Sequence, residues 1–297
     1  MDIGDWTATP DLNEIYREIR DLGLETNLAE LEAFGFTVIE GALDSETTNG
    51  LRAKILEIAE ARLGRRLDPE AETESTLKGV ELIPYLLFKD PVFKQAVLNR
   101  KQLALITYLL GRHCILSSLT CHLKGPGGDG LLLHSDTANG IPEPFSPYSH
   151  VANTNYALTD YTEENGCLAM VPGSHRLHRQ PTKWETGLDG NRRYEHVIPV
   201  EVPAGSAIVW HGNTWHGSFP RKVPGLRINL ATYFCREYVQ TQEAYRYHVP
   251  EGYLGPGDER LKRLLGADLV HNWQDEGAGP RFTARHREIS RSRTWQN

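Results

Sequence analysis

The chain has 297 residues, 39% hydrophobic and 24% charged. That composition suits one large or two small globular domains with a sizeable core, and excludes a largely disordered chain. Its formal net charge is -7 and no stretch concentrates Lys and Arg, so a nucleic-acid partner is not expected. Cys114, Cys121, Cys167 and Cys235 are too widely spaced for a Cys-x-x-Cys site and too few to staple the fold, so they read as buried thiols in a reducing compartment.

The opening, MDIGDWTATPDLNEIYREIR, lacks the basic start and apolar core of a signal peptide. No apolar run reaches the ~18 residues of a membrane helix. A cytoplasmic protein without membrane association is expected. Residues 11 to 34 carry apolar residues at helical spacing, and a short strand is predicted around Phe36 to Ile39. The segment DSETTNGLRAKILEIAEARLG opens on a cap at Asp44 or Ser45 and closes on Gly64, which delimits a helix. Asp90-Pro91 starts a further helical stretch that runs to Gly111.

From Cys114 to Phe234 the chain turns to short β-prone runs punctuated by Gly, Pro, Asn and Asp: CILSSLTCHL, GLLLH, VANTNYALTDY, CLAMVPG, RYEHVIPVEV, SAIVWHG and RINLATYFC. A mainly β section flanked by helices predicts a double-stranded β-helix, the jelly roll shared with cupins. A single domain over 1–297 is expected, with a helical part (1–112), a β-helix core (113–237) and a C-terminal helical and loop extension (238–297). The basic tail with Arg285, Arg287, Arg291 and Arg293 reads as a flexible or packed terminus.

In GLLLHSDTANG the leucines end on a histidine and an aspartate two apart. On a strand His134 and Asp136 share a face, with Ser135 on the other. An imidazole and a carboxylate side by side are half of a two-histidine, one-carboxylate site, which leaves open positions on a six-coordinate metal. The third ligand has two candidates, His211 and His216, in PAGSAIVWHGNTWHGSFP. Arg227, flanked by Leu226 and Ile228, points either to water or inward to an anion, and its planar fork suits a carboxylate.

His-x-Asp, a histidine about 80 residues later and an arginine eleven beyond it resemble the Fe(II)/2-oxoglutarate dioxygenases of the phytanoyl-CoA dioxygenase type. ENGCLAMVPGSH, VPAGSAIVWHGNTWHGS and GFTVIEGALDSE are similar to family segments, so the resemblance covers roughly residues 30 to 237. It implies iron ligands at His134, Asp136 and His216, with His216 preferred over His211 for its distance to Arg227. It implies a catalytic set of those three with Arg227, which would bind the distal carboxylate of 2-oxoglutarate together with the Ser218 hydroxyl. Asn155 stands where family members often carry tryptophan, so its amide is a candidate contact to cosubstrate or substrate. The retained Asp136 argues for an oxygenase over a halogenase, in which a small residue replaces the carboxylate.

The implied reaction uses Fe(II), 2-oxoglutarate and O2, releases succinate and CO2, and by default hydroxylates an unactivated C–H bond. No cationic clamp for coenzyme A is evident, which favours a small or medium-sized metabolite of a specialised pathway over an acyl-CoA. A monomer or homodimer acting on a small molecule is expected. A cupin-like metalloenzyme without 2-oxoglutarate, a vestigial binding protein and an acyl-CoA hydroxylase are the alternatives. Substrate contacts are expected from three segments: DTANGIPEPFSPYSHV, STLKGVELIPYLLF and the chain from Tyr238. Tyr85, Phe145 and Tyr148 are the aromatic candidates, and His175 and Arg176 could touch an anionic group or simply shape their turn.

Overall fold

The computed structural model describes residues 10–267, so the arginine-rich tail lies outside the described residues. The first predicted helical stretch is two helices, α1 (Pro10–Asp21) and α2 (Glu25–Phe34), separated at Gly23, whose φ of +67° only glycine adopts freely. Strand β1 (Phe36–Ile39) follows, then α3 (Ser45–Leu63). The Asp44 carboxylate accepts from the Thr47 amide to cap α3, and Gly64 closes it in the left-handed region.

The next helical stretch also divides. It forms α4 (Pro91–Val97) and α5 (Arg100–Leu110), with Asn99 capping the second through the Gln102 amide. A separate cap and a break in backbone pairing are what one continuous apolar pattern conceals. Between α3 and α4 lies β2 (Val80–Ile83), inside a segment expected to be a substrate loop.

The remaining strands are β3 (Ile115–Lys124), β4 (Leu131–His134), β5 (Val151–Ala157), β6 (Leu168–Met170), β7 (Ile198–Val200), β8 (Ala207–His211), β9 (His216–Ser218) and β10 (Asn229–Cys235). Helix α6 (Glu259–Leu264) comes last. All named pairings are antiparallel, in a six-stranded sheet ordered β1-β8-β5-β10-β3-β2 and a four-stranded sheet ordered β4-β9-β6-β7. The fold is a double-stranded β-helix with flanking helices. β1 and β2 from the helical N-terminal third complete the larger sheet at its two edges.

Side-chain alternation divides the labour of the larger sheet. On β3, Leu119, Cys121 and Leu123 pack into the core shared with Leu51, Ile55, Phe93 and Leu105 of the helices. The intervening Ser118, Thr120, His122 and Lys124 line a cleft on the other face. Just before and along β10 the same rule sends Ile228, Leu230 and Phe234 to the helices, and Arg227, Asn229, Ala231 and Tyr233 to the cleft. A second apolar cluster, with Leu168 and Met170 from the small sheet and Ile208 and Trp210 from the large one, joins the two. Among the described residues no helix is long and apolar enough to cross a membrane.

Candidate metal centre and anion site

Pairing of β4 with β9 puts His134 directly opposite His216, so the two imidazoles share one face with ring centroids 4.4 Å apart. Asp136 reaches them by a different route from the one strand alternation suggests. β4 ends at His134, and Asp136 begins a single 3-10 turn (Asp136–Asn139), with the Ser135 hydroxyl bonded to the Gly212 carbonyl beneath it. The turn brings the Asp136 carboxylate 3.7 Å from His134 Nε2 and 3.3 Å from His216 Nε2. One donor atom from each of the three residues lies within 4.8 Å of the others, an arrangement that could hold a metal ion.

The donors are set in the form a metal needs. His134 Nδ1 lies 2.9 Å from the Leu132 carbonyl and His216 Nδ1 3.0 Å from the Thr214 carbonyl. A carbonyl only accepts, so Nδ1 is the donor in both rings, the tautomer whose neutral form presents the Nε2 lone pair to a ligand. Burial pushes the His216 pKa down to about 4, against an opposing pull from Asp136, so its imidazole is neutral at physiological pH. Asp136 is fixed in turn: its Oδ2 accepts from Asn153 Nδ2 at 2.5 Å and Trp210 Nε1 at 3.3 Å. Such outer contacts orient a ligand before metal arrives.

His211 stands elsewhere. Its ring is 5.5 Å from that of His175, and its Nδ1 accepts from the Asn213 amide, so it takes no part in the cluster. His175 and Arg176 belong to the contact with α2, where Arg176 Nη2 donates to the Glu32 carbonyl, and neither lines the cleft. Their turn shapes the fold.

The cleft holds about 700 Å³ and runs from the His-Asp-His cluster to Arg227, Ser218, Asn155 and Lys124. Arg227 is 2% exposed, and its guanidinium donates only to neutral oxygens, from Nη1 to Tyr161 Oη (3.3 Å) and from Nη2 to the His122 carbonyl (3.1 Å). It also lies over the Tyr161 ring. Asn155 Oδ1 accepts from the same phenol at 2.8 Å, so this side chain ties Tyr161 and, through it, Arg227 in place.

Lys124 is a second buried basic residue of the cleft, one the motif reading did not single out. An isolated bridge sets it across from Arg227, and it is also 2% exposed. Its Nζ donates to Ser218 Oγ (2.7 Å) and the Phe219 carbonyl (2.6 Å). Burial, followed by the charge of Arg227, pushes its pKa down to about 6. Among the described residues no carboxylate lies within ion-pair distance of either cation, and both Arg227 Nε and Asn229 Nδ2 are buried without a partner. A buried arginine beside a buried lysine, with donors to spare and no carboxylate partner, could receive an anion. Alternating apolar and polar residues along LTCHLK carried the signal for Lys124, but only the pairing of β3 with β10 turns it toward Arg227.

None of Tyr85, Phe145 and Tyr148 lines this cleft; Phe145 is buried in packing and Tyr85 stacks edge-on against Tyr245. Its apolar wall comes instead from Val80 and Leu82 of β2, facing Leu131 of β4. These side chains remain 46%, 47% and 52% exposed.

The chain is 26% identical over 270 residues to dioxygenase af480 of Aspergillus fumigatus, an alignment covering 90% of this chain and 84% of that protein. It is 32% identical over 154 residues to dioxygenase FUM3 of Gibberella moniliformis, covering 50% of this chain and 48% of that protein. Among solved structures, HygX from Streptomyces hygroscopicus with nickel and 2-oxoglutarate bound superposes with a TM-score of 0.59 at 18% identity, covering 73% of this chain and 88% of HygX. HygX has also been solved with hygromycin B bound alongside nickel and 2-oxoglutarate. Residues 31–228 match the phytanoyl-CoA dioxygenase (PhyH) family, and the chain belongs to that family of dioxygenases.

Proposed function

We propose that the protein is an Fe(II)- and 2-oxoglutarate-dependent dioxygenase, acting as one domain, that hydroxylates an unactivated C–H bond of a small or medium-sized metabolite. His134, Asp136 and His216 would hold the iron on one face of the cleft. Arg227 and Lys124 would take the distal carboxylate of 2-oxoglutarate, with Ser218 able to donate its hydroxyl hydrogen while it accepts from Lys124. The observation that carries this reading is the carboxylate-free cation pair at the end of the same cleft that holds the His-Asp-His cluster. A metal enzyme with no anionic cosubstrate has no use for a buried arginine without a carboxylate partner beside a buried lysine, since an unpaired buried charge such as that of Arg227 costs several kcal/mol.

Bound iron and cosubstrate supply the oxidising power: one oxygen atom of O2 goes to R–H as R–OH, the other to succinate, and CO2 is lost. The chain's own residues orient the ligands, anchor the cosubstrate and hold the substrate. A role in specialised metabolism is supported by the hygromycin B bound in HygX.

The test is anaerobic titration of the Fe(II)-loaded protein with 2-oxoglutarate, followed by the visible charge-transfer band of a chelated keto acid. The band is expected in the wild type and absent in His216→Ala. Arg227→Ala should weaken cosubstrate binding by about 2–5 kcal/mol, the cost of truncating one partner of a buried charge-assisted contact. That is at least about thirtyfold in Kd. Iron bound with no band in the wild type would replace this reading with the cupin-like alternative.

A further inference from the structure

Outside the metal cleft, across β4, lies a second cleft of about 960 Å³ whose wall shares Asp129 and Gly130 with the first. Consecutive strand residues face opposite ways, so Leu131 looks into the metal cleft and Leu132 into the second. Both are more than half exposed, at 52% and 57%, and Trp184 in the second cleft is 79% exposed.

Trp184 does not hang on a loose loop. Arg179 clamps the neighbouring Glu185 with two hydrogen bonds (2.8 and 2.9 Å) and lies over the Trp215 ring. Leu133 donates its amide to the Thr186 carbonyl at 3.1 Å, which ties the segment to β4 itself. A large apolar ring displayed in water on a pinned segment is the signature of a contact surface.

The cosubstrate would fill part of the metal cleft, and the wall of that cleft continues through Asp129 and Gly130 into the second one, so a substrate that starts at the metal can extend its body across β4. Charge restricts what that body can be. Lys183, Arg192 and Arg193 in the second cleft are matched by Asp129, Asp189 and Glu195, and Arg193 is engaged by Glu163. No excess of positive charge is left for a polyphosphate.

We propose that the second cleft is the remote half of the substrate site, and that it receives a neutral, ring-bearing body lying over Leu131 and Leu132 against Trp184. The substrate is then an amphiphile whose reacting carbon enters the metal cleft, and not a coenzyme A thioester. This assignment rests on the dioxygenase reading above.

The test uses N-phenyl-1-naphthylamine, a neutral fluorophore that joins a naphthyl and a phenyl group, titrated into full-length protein loaded with Mn(II) and 2-oxoglutarate. One saturable site is expected. Trp184→Ala and Leu132→Ser should weaken it roughly tenfold or more, as loss of a central apolar anchor does, while Tyr247→Ala, exposed but outside both clefts, leaves it unchanged. Mn(II) should speed relaxation of the bound dye's protons, and coenzyme A should not displace it. Unchanged affinity in Trp184→Ala, displacement by coenzyme A, or no relaxation effect would overturn the proposal, as would a wild-type dimer that Trp184→Ala abolishes, since that gives the surface to a second copy. The 2-oxoglutarate band on Fe(II)-loaded samples separates the two ideas. A wild type without the band overturns the dioxygenase reading, whereas a Trp184→Ala variant that keeps both the band and the dye overturns only the second cleft.

Discussion

A lysine buried beside an arginine would be a proton-linked part of the proposed anion site. Lys124 has a pKa near 6, far below the ordinary lysine value, because burial and then Arg227 disfavour its charge. At pH 7 the empty site therefore holds it mostly neutral, and an arriving carboxylate draws a proton onto it. Binding of 2-oxoglutarate should take up protons at pH 7, seen as a dependence of calorimetric heat on buffer ionisation enthalpy, and should weaken as pH rises. Lys124→Met should lose that proton uptake and bind the cosubstrate more weakly. Stability has its own sign: between pH 6 and the ordinary lysine value the unfolded chain holds a proton that the fold does not, so this group makes stability rise with pH across that window. Lys124→Met should accordingly raise the melting temperature of the cosubstrate-free protein at pH 7, and a lower one would show that the ammonium is stabilising where it lies. On the metal side, Asn153 fixes Asp136 through the 2.5 Å bond to Oδ2. Asn153→Ala should weaken metal binding about 10- to 100-fold with little change in fold; unchanged affinity in a metal titration would mean that Trp210 alone suffices. Legibility at this scale follows sequence distance. His134 and Asp136 form a local motif, and Arg227 stands out as a charge among leucine and isoleucine, whereas Lys124 gains its meaning only from a partner strand more than a hundred positions later.

The β4–β9 pair is the element on which the metal site depends, and it closes over a glycine. A Cβ on Gly217 would sit 2.1 Å from the Leu131 carbonyl oxygen and 3.1 Å from that of Leu132. Those atoms are backbone and cannot swing aside. Gly217→Ala should therefore push β9 from β4, separate His216 from His134, and destabilise the protein by about 3 kcal/mol, within the range of severe point substitutions. Thermal melts with and without metal would read it; a variant with normal stability and normal metal affinity would show that the strands can part without cost. Helix α3 was legible from its Asp44 and Gly64 ends, and the long β runs from their alternation and turns. Apolar spacing did not reveal the breaks at Gly23 and Asn99, because both helices of each pair send their apolar residues into the same core. Strands β2 and β9, of four and three residues, are too short to carry a period of their own. Trp184 was invisible for a related reason: its segment has no regular structure, and its fixed place comes from the Arg179–Glu185 clamp and the Leu133–Thr186 backbone bond, which spacing does not show.

At the scale of the molecule, the two proposed ligands join different parts of the sandwich. The metal would tie β4, the turn after it and β9, all within or beside the small sheet. The cosubstrate would reach from that metal to Lys124 and Arg227 on the large sheet, and so bridge the two. Ligands that bind only the folded state stabilise it by mass action, by about 2.7 kcal/mol at a hundredfold excess over Kd. With about 2–4 °C of melting temperature per kcal/mol for domains of 150–250 residues, each should raise the melting temperature by several degrees. Metal alone should produce its increment in the wild type and in Arg227→Ala, because Arg227 touches none of the three ligand side chains. The further increment from 2-oxoglutarate should appear only once metal is bound, and should vanish in Arg227→Ala. If 2-oxoglutarate stabilised the metal-free protein as strongly as the metal-loaded one, the cation pair would be an independent anion site and the chelating geometry would be wrong. If it stabilised neither, the buried Lys124 and Arg227 would be a structural feature, and the carboxylate receptor would lose its support.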